Sequence, residues 1–347
     1  MKNILVTGAG ALLGQGILRC LHFSKNNYNI ITADPDYRAQ GHCLGNKAYI
    51  IPFANDPLYM NRIEEIIEKE TVDAILIGTD VELPPFAEYK SELEEKYPIN
   101  VIVSNRDVID IANNKWLTAE FLRKNNFPYP VSALTTNKEA IAMLMQKSQF
   151  PFIAKPVDGA RSKGIRILTS EKDLNDVCSY PNNLVVQELL SEEEGEFTTG
   201  CMVVGGTCKA IVSLKRDLRD GNTYRAYRDG ENIHDKLISR IAETLGADGP
   251  VNFQYRIRKG EPVIFEINGR FSGTTPLRYM FGFNEVEALL NHIFGIEEME
   301  QPILRDGAVF RTFSDVFVAH DQLNELRTNG VVQGYACRYY PFYVVNN

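Results

Sequence analysis

No apolar run in this chain approaches the length needed to cross a bilayer, so no membrane-spanning helix is expected. The first residues, MKNILVTGAG, read as a strand entering a glycine turn and lack the pattern of a signal peptide. Six cysteines (Cys20, Cys43, Cys178, Cys201, Cys208, Cys337) are dispersed without a Cys-x-x-Cys pair, which argues against a zinc ribbon or a disulfide framework. Most lie in apolar stretches and read as buried reduced thiols. The five histidines are equally scattered, and no Ser/His/Asp or Cys/His set offers a protein nucleophile. A positive excess is missing too: the net charge of -8 argues against a nucleic-acid partner. Gly-x-x-x-x-Gly-Lys-Ser/Thr does not occur, which excludes a Walker loop. No segment is repeated or low in complexity. What remains, 347 residues at ordinary hydrophobic content, is room for two or three packed units of a cytoplasmic enzyme.

Residues 3–9 form an apolar strand that runs into Gly8-x-Gly10-x-x-x-Gly14-x-Gly16, and Ile17, Leu18 and Leu21 continue at helical spacing. A second strand, Asn29 to Ala33, ends in Asp34. Further strands follow at 49–53, 73–78 and 100–103, with a helix over 57–70 that buries Ile63, Ile66 and Ile67. Residues 1 to about 110 therefore read as a Rossmann-like α/β domain with a parallel sheet. A dinucleotide site is one reading of the glycines, but their spacing is not Gly-x-Gly-x-x-Gly, and a tight strand-to-helix turn explains them as well. The pair Tyr255 and Lys259 has dehydrogenase spacing but falls across a hairpin and is read as chance. Asp80 and Glu82 lie where open α/β sheets bind ligands; contact with substrate and capping of the next helix both fit, and capping is preferred.

A helical pair is expected over 105–126 around Lys115, and a helix over 137–147. Phe152 to Val157 is a strand carrying Lys155; it enters the loop 158–164, which holds Gly159, Arg161, Ser162, Lys163 and Gly164. Such a loop lets backbone N–H groups approach phosphate oxygens while its cations offset charge. In the strand Leu184 to Leu190, Gln187 and Glu188 require a polar partner, and the edge of an adenine is one. Glu192 to Glu194 read as solvated loop charge. The connection 215–228 is strongly basic; Arg216 or Arg225 clamping a substrate carboxylate and a solvated loop balanced by Asp217, Asp220 and Asp229 are equally good readings. After a helix over 232–246 comes a hairpin turning at Arg258 to Glu261. Alternation puts Glu266, Asn268 and Arg270 on one face, opposite Asn252 and Gln254, with Phe265 and Ile267 on the other. That face offers hard oxygen ligands and a cation, which suit magnesium holding phosphate oxygens.

In this order, the lysine strand, glycine loop, Gln187-Glu188-Leu189-Leu190, Glu196 and the Gln254…Glu266-x-Asn268 face resemble the ATP-grasp superfamily. The likeness is greatest to the carbamoyl-phosphate-synthetase large-subunit and biotin-carboxylase-like branch. It implies a mixed α/β and α+β fold: a Rossmann-like pre-ATP-grasp domain (1–110), then an ATP-grasp domain (111–300) made of a small lid (about 128–190) and a larger antiparallel-sheet part. A C-terminal segment (301–347) is expected to pack on the ATP-grasp domain. By the resemblance, Lys115 and Lys155 contact the nucleotide phosphates, and Gly159, Ser162 and Gly164 belong to the phosphate loop. Glu188 and Leu190 form the adenine hinge, largely through backbone groups, and Glu196 binds the ribose. Gln254, Glu266 and Asn268 hold Mg2+ (Mn2+ as an alternative), and Arg270 faces the transferred phosphoryl group, so Lys155, Asn268 and Arg270 are the expected catalytic residues. The implied activity is an ADP-forming ligase that joins a small-molecule carboxylate and an amine through an acyl phosphate, as a cytoplasmic protein compatible with a homodimer. Two departures stand out: Gln254 replaces the carboxylate of many relatives, although the carbamoyl-phosphate branch also uses glutamine, and the loop has fewer glycines than biotin carboxylase. Neither a second synthetase half nor a biotin-carrier segment is recognised, so full carbamoyl-phosphate synthesis and biotin carboxylation are not expected. Two other readings remain open: an NAD(P)-dependent oxidoreductase built on the N-terminal glycines, and an ATP-binding module without turnover.

Overall fold

The computed structural model describes residues 1–159, 164–179, 183–312 and 315–334, and the backbone of 337–340. The chain forms two compact units: residues 1–105 with 270–305 and 309–347, and residues 106–269 with 306–308.

In the first unit, β1 (Lys2–Val6), α1 (Leu12–His22), β2 (Tyr28–Asp34), β3 (Lys47–Ile50), α2 (Tyr59–Glu70), β4 (Ala74–Leu76), α3 (Leu83–Lys96) and β5 (Asn100–Ile102) build a parallel sheet ordered β3-β2-β1-β4-β5. Its central strands are apolar on both faces, and Ile4, Leu5, Ile31 and Ile75 are fully buried, as a sheet covered on both sides demands. Close packing accounts for the glycines. A Cβ on Gly14 would lie 2.1 Å from the Gly8 carbonyl oxygen, and one on Gly78 would lie 2.2 Å from that of Thr7. The start of α1 thus touches the strand ends backbone to backbone. The Gly10 N–H donates to Asp34 Oδ2 at 2.8 Å, so the acid that would hold a ribose in a dinucleotide site closes this loop instead.

Asp80 and Glu82 do not cap α3, which has no side-chain N-cap bond. Glu82 is buried and accepts hydroxyl bonds from Thr7 (3.0 Å), Tyr59 (2.7 Å) and Thr79 (2.7 Å), and burial raises its pKa. Asp80 pairs with Arg270 at 2.6 Å.

The second unit opens with α4 (Arg106–Asn113) and α5 (Lys115–Lys124). Asn114 separates them, its side chain accepting from the Trp116 and Leu117 amides at the start of α5. A small antiparallel sheet follows: β6 (Ser132–Leu134), β7 (Phe152–Pro156), β8 (Arg166–Leu168) and β9 (Leu184–Glu188), ordered β6-β9-β7-β8. Its helices α6 (Lys138–Lys147) and α7 (Glu171–Ser179) share a core with Phe152, Ala154 and Val186. The larger sheet is ordered β14-β13-β10-β11-β12, from β10 (Glu196–Val204), β11 (Thr207–Arg219), β12 (Asn222–Arg228), β13 (Gly249–Arg258) and β14 (Glu261–Asn268), with α8 (Asp235–Leu245) against it.

The basic connection 215–228 is not a loop: it is the end of β11, a turn at Asp220-Gly221, and β12. The turn between β13 and β14 has positive φ at Lys259 and Gly260, the geometry that suits a two-residue hairpin. The carboxylate of Glu194, read as solvated, accepts both turn amides at 2.7 and 3.0 Å.

At Gly269 the chain returns to the first unit, earlier than the expected boundary at 300. There it forms α9 (Thr275–Met280) and α10 (Glu285–Ile293), and then β15 (Gly307–Phe310), β16 (Asp315–Val318), α11 (His320–Asn329), β17 (Val331–Gln333) and β18 (Cys337–Tyr340). β15 lies at the edge of the larger sheet, and its first two residues count with the second unit. The terminal segment, expected on the ATP-grasp part, instead adds β17 antiparallel to β3 (Val332 opposite Ala48). β3 is the edge of its sheet, so its unpaired backbone groups take a partner, and Leu326 and Val332 bury against Ala48. Among the described residues no helix is long and apolar enough to cross a membrane.

Candidate functional site

Strand alternation sorts the small sheet into two faces. In β7, Phe152 and Ala154 enter the core, so Ile153 and Lys155 point the other way; in β9, Val186 enters the core and Gln187 opposes Ile153 in register. The larger sheet turns Glu196, Arg216, Gln254, Arg256, Phe265 and Glu266 toward the same space, and together they line a cleft of about 190 Å3. Gln254 sits opposite Glu266 and Asn252 opposite Asn268, as alternation predicts. Phe265 departs from it. A bulge beside Gln254/Tyr255 pairs Tyr255 with Ile264 and Gln254 with Glu266, leaving Phe265 unpaired. Ile264 and Ile267 both stay in the core, while Phe265 joins Glu266 at the cleft.

The cleft floor is a network of charges. Glu196 Oε1 accepts from Arg216 Nε (3.0 Å) and Nη2 (2.6 Å), and Oε2 from Arg256 Nε (2.9 Å). Arg216 Nη2 also donates to Gln254 Oε1 at 2.6 Å, and Arg256 Nη1 to the Leu190 carbonyl at 2.6 Å. Glu266 Oε1 accepts from Gln254 Nε2 (2.9 Å) and Asn268 Nδ2 (3.0 Å), while its Oε2 has no partner among the described residues. Lys115 Nζ donates to the Gly159 carbonyl at 2.7 Å. Lys155 differs: among the described residues its ammonium makes no hydrogen bond or ion pair, and it sits 5.5 Å from the centre of the Phe265 ring. Burial pushes its pKa down to about 8; Lys115 and Arg256 add to the shift, and Glu266 and Glu196 oppose it. A partly buried cation with no hydrogen bond or ion pair among the described residues, sharing a cleft with a carboxylate whose second oxygen is unpartnered among them, is prepared for an anion and a metal together.

Of the residues expected in a site, Lys115, Lys155, Gly159, Glu188, Leu190, Glu196, Gln254 and Glu266 line this cleft, and Asn268 adjoins it through Glu266. Gly164 stands against the Pro156 ring. Ser162, with Arg161 and Lys163, lies outside the described residues. Arg270 belongs to the first unit, where its guanidinium holds Asp80 and the Phe271 carbonyl. Glu188 spends its side chain on structure, accepting from the Val131 amide (2.9 Å), Ser148 (3.2 Å) and Arg258 (2.6 Å). Its own N–H donates to Val131, so neither group is left for a base. Arg225 pairs at 3.8 Å with Asp217 on the exposed side of its hairpin, whereas Arg216 reaches the cleft. Sequence reasoning missed Arg256, although it stands two residues beyond Gln254 on the same face of β13.

Among the described residues no three or more His, Cys, Asp or Glu side chains cluster as metal ligands. One carboxylate with two amide oxygens nevertheless suits Mg2+, which takes few protein ligands and completes its shell with phosphate oxygens and water. Gln254 would share its oxygen with Arg216.

Comparison with known proteins agrees with this geometry. The family described as ATP-grasp in the biosynthetic pathway with Ter operon matches residues 180–316, and the RimK-like ATP-grasp domain matches residues 112–241. Residues 112–316 thus match ATP-grasp domain models, and the ATP-grasp superfamily is the one this chain resembles. Among curated relatives, the carbamoyl phosphate synthase large chain of Thermoplasma acidophilum is 22% identical over 88% of this chain, which spans only 32% of that relative. N5-carboxyaminoimidazole synthetase from Staphylococcus aureus, solved with ADP, superposes at a TM-score of 0.70 and 15% identity over 87% of this chain and 80% of that one. The biotin carboxylase domain of Hydrogenobacter thermophilus 2-oxoglutarate carboxylase, solved with MgADP and bicarbonate, does so at 0.69 and 17% identity over 91% and 74%. The fold is thus the ATP-grasp fold, and ATP-grasp enzymes use ATP with Mg2+.

Proposed function

We propose that the cleft binds Mg-ATP and that the protein is an ADP-forming ligase joining a small-molecule carboxylate to an amine. The observation that carries this reading is the Lys155 ammonium, unpaired among the described residues, facing the same cleft as Glu266, Gln254 and Arg256. Mg-ATP, when bound, supplies the phosphoryl group that turns a carboxylate into an acyl phosphate, whose phosphate an amine then displaces with loss of a proton. Lys155 and Lys115 offset phosphate charge, and Glu266, Asn268 and Gln254 hold the metal. Glu196 faces the ribose, and Leu190, at the end of the hinge, faces the base. Asp158 and Gly159, which line the cleft, lie beside the phosphates. The reading places the reaction in the cytoplasm, with a homodimer as the expected assembly.

The test is ADP and phosphate release with Mg-ATP against pools of amino acids, other carboxylates and amines. Release that requires both an acid and an amine, and disappears in Lys155→Ala, supports the ligase. Release with acid alone points to a kinase, and tight ATP binding without release points to a binding module.

Lys155 also sets a pH dependence. Its ammonium, ordinarily lost near 10.5, is lost at about 8 in the folded chain, so a positive charge leaves the cleft as pH rises from 7 to 9. Affinity for Mg-ATP, followed by calorimetry, should fall across that interval, with proton uptake on binding near pH 8. Lys155→Arg, which stays charged, should flatten the profile. The contribution to stability has the opposite slope. Below about pH 8 the cost of burying the ammonium is fully present; between 8 and 10.5 the unfolded chain holds the proton that the folded chain has released, so stability rises with pH. An affinity that stays flat from pH 7 to 9 in the wild type would remove Lys155 from the phosphate site.

A further inference from the structure

The bulge beside Gln254/Tyr255 turns a phenyl ring, Phe265, into a cleft whose other residues from the larger sheet are mostly charged or polar. A ring placed there gives up burial that the core would have supplied, so its position calls for a function. Its neighbours are cations. Lys155 Nζ stands over the ring at 5.5 Å from its centre, and the Arg256 guanidinium at 5.9 Å, both within reach of a cation–π contact. The two cations are held differently. Arg256 donates to Glu196, Glu192 and the Leu190 carbonyl, so its place is set without the ring. Lys155 makes no hydrogen bond or ion pair among the described residues; Lys115 and Arg256 repel its charge, and Glu266 and Glu196 attract it without bonding it. Its stem is flexible, and among those residues the face of Phe265 is what meets the ammonium.

We infer that Phe265 is the positioning residue for Lys155: the face of its ring keeps the ammonium in the cleft before any nucleotide binds. The inference rests on the reading of this cleft as a phosphate site and adds what holds the lysine ready. A ring attracts a cation through its quadrupole but accepts no strong N–H bond, so all three ammonium donors stay available to phosphate oxygens. A carboxylate in the same place would have to be displaced by each incoming phosphate. An aliphatic side chain would fill the space but leave the ammonium to sample other rotamers. Affinity then falls in proportion to the time the cation spends out of place.

Two measurements test this. The first needs no nucleotide: NMR of the chain labelled with carbon-13 at the lysine Cε atoms. Protons over a ring face shift upfield, so one ε-methylene signal should stand upfield of the other lysines. It should vanish in Lys155→Arg and rejoin the rest in Phe265→Leu. The second is calorimetric titration with Mg-ATP of chains in which Phe265 carries one, two or three ring fluorines. Fluorine draws electrons from the ring face and hardly alters its shape, so affinity should fall stepwise, to about threefold below wild type with three. Phe265→Leu should lose about as much; should it fail to fold, the fluorinated chains, which keep the phenyl shape, decide. If no lysine signal is shifted, the ring does not hold Lys155 and the inference is overturned. Fluorinated chains that bind Mg-ATP as tightly as the wild type overturn it equally, since a ring that merely packs has no need of its electrons. A wild type that shows the shifted signal yet binds no Mg-ATP would instead remove the nucleotide reading on which the inference rests.

Discussion

Glu266→Ala should lower ADP release by about 10²–10³-fold, the scale seen when one electrostatic stabiliser of a phosphoryl or acyl transfer is removed. Glu266 is the one carboxylate among the three expected metal ligands, and both neighbouring amides already donate to its Oε1. Its Oε2, unpartnered among the described residues, is the oxygen left for a cation. Glu266→Gln keeps the shape but removes the charge, and it should fall nearly as far while demanding more Mg2+ for the activity that remains. Thermal melting should hardly change in either variant, because the side chain is only half-buried and anchors no core residue. Coupled-enzyme measurement of ADP across an Mg2+ series reads both quantities. A Glu266→Ala protein within a few-fold of wild type would mean that phosphoryl transfer does not take place in this cleft.

Glu196→Ala should destabilise the fold by about 3–5 kcal/mol, because it strips the carboxylate from between the buried Arg216 side chain and the partly buried Arg256. Side chains of Glu196 and Arg216 are 8% and 7% exposed, so solvent offers little replacement. Among the described residues Arg216 would keep hydrogen bonds only to Gln254 and Thr223, and Arg256 only to Glu192 and the Leu190 carbonyl, beside the Phe265 ring. The effect is measured by urea unfolding, and a second variant isolates its cause. If the loss comes from stranded charge, Glu196→Ala combined with Arg216→Met should recover part of it, although two side chains are then missing. A single-variant loss under about 1 kcal/mol, the size of an ordinary exposed ion pair, would show that water or neighbouring groups satisfy both arginines. This network also explains why the basic hairpin 215–228 resisted reading. Arg216 and Arg225 look equivalent along the chain, but only Arg216 lies on the strand face directed at Glu196 and Gln254.

Much of the architecture was legible in the residues. The helix over 57–70 is marked by Ile63, Ile66 and Ile67 at helical spacing, and all three are buried. Lys155 stands out as one cation in an apolar strand, and Glu266 and Asn268 share a face because side chains alternate. These patterns need no knowledge of a partner. The resemblance to ATP-grasp proteins rests on the same local runs, which is why the fold was recognisable before any contact was known.

The rest depends on which strands meet and in what register. The bulge that turns Phe265 into the cleft arises from the pairing of β13 with β14, and alternation along β14 alone sends Phe265 the wrong way. Gly14 and Gly78 read as turn residues, yet what requires glycine there is backbone of other segments within about 2 Å of a Cβ. Val331 to Gln333 are too few to announce a strand, and the edge they complete belongs to the other end of the chain. Arg216, Arg256 and Glu196 come from three strands and meet only because β11, β10 and β13 lie side by side. Periodicity is a property of one segment, carried by its own side chains. Register is a choice among partners, made by the packing that the folded chain alone brings about.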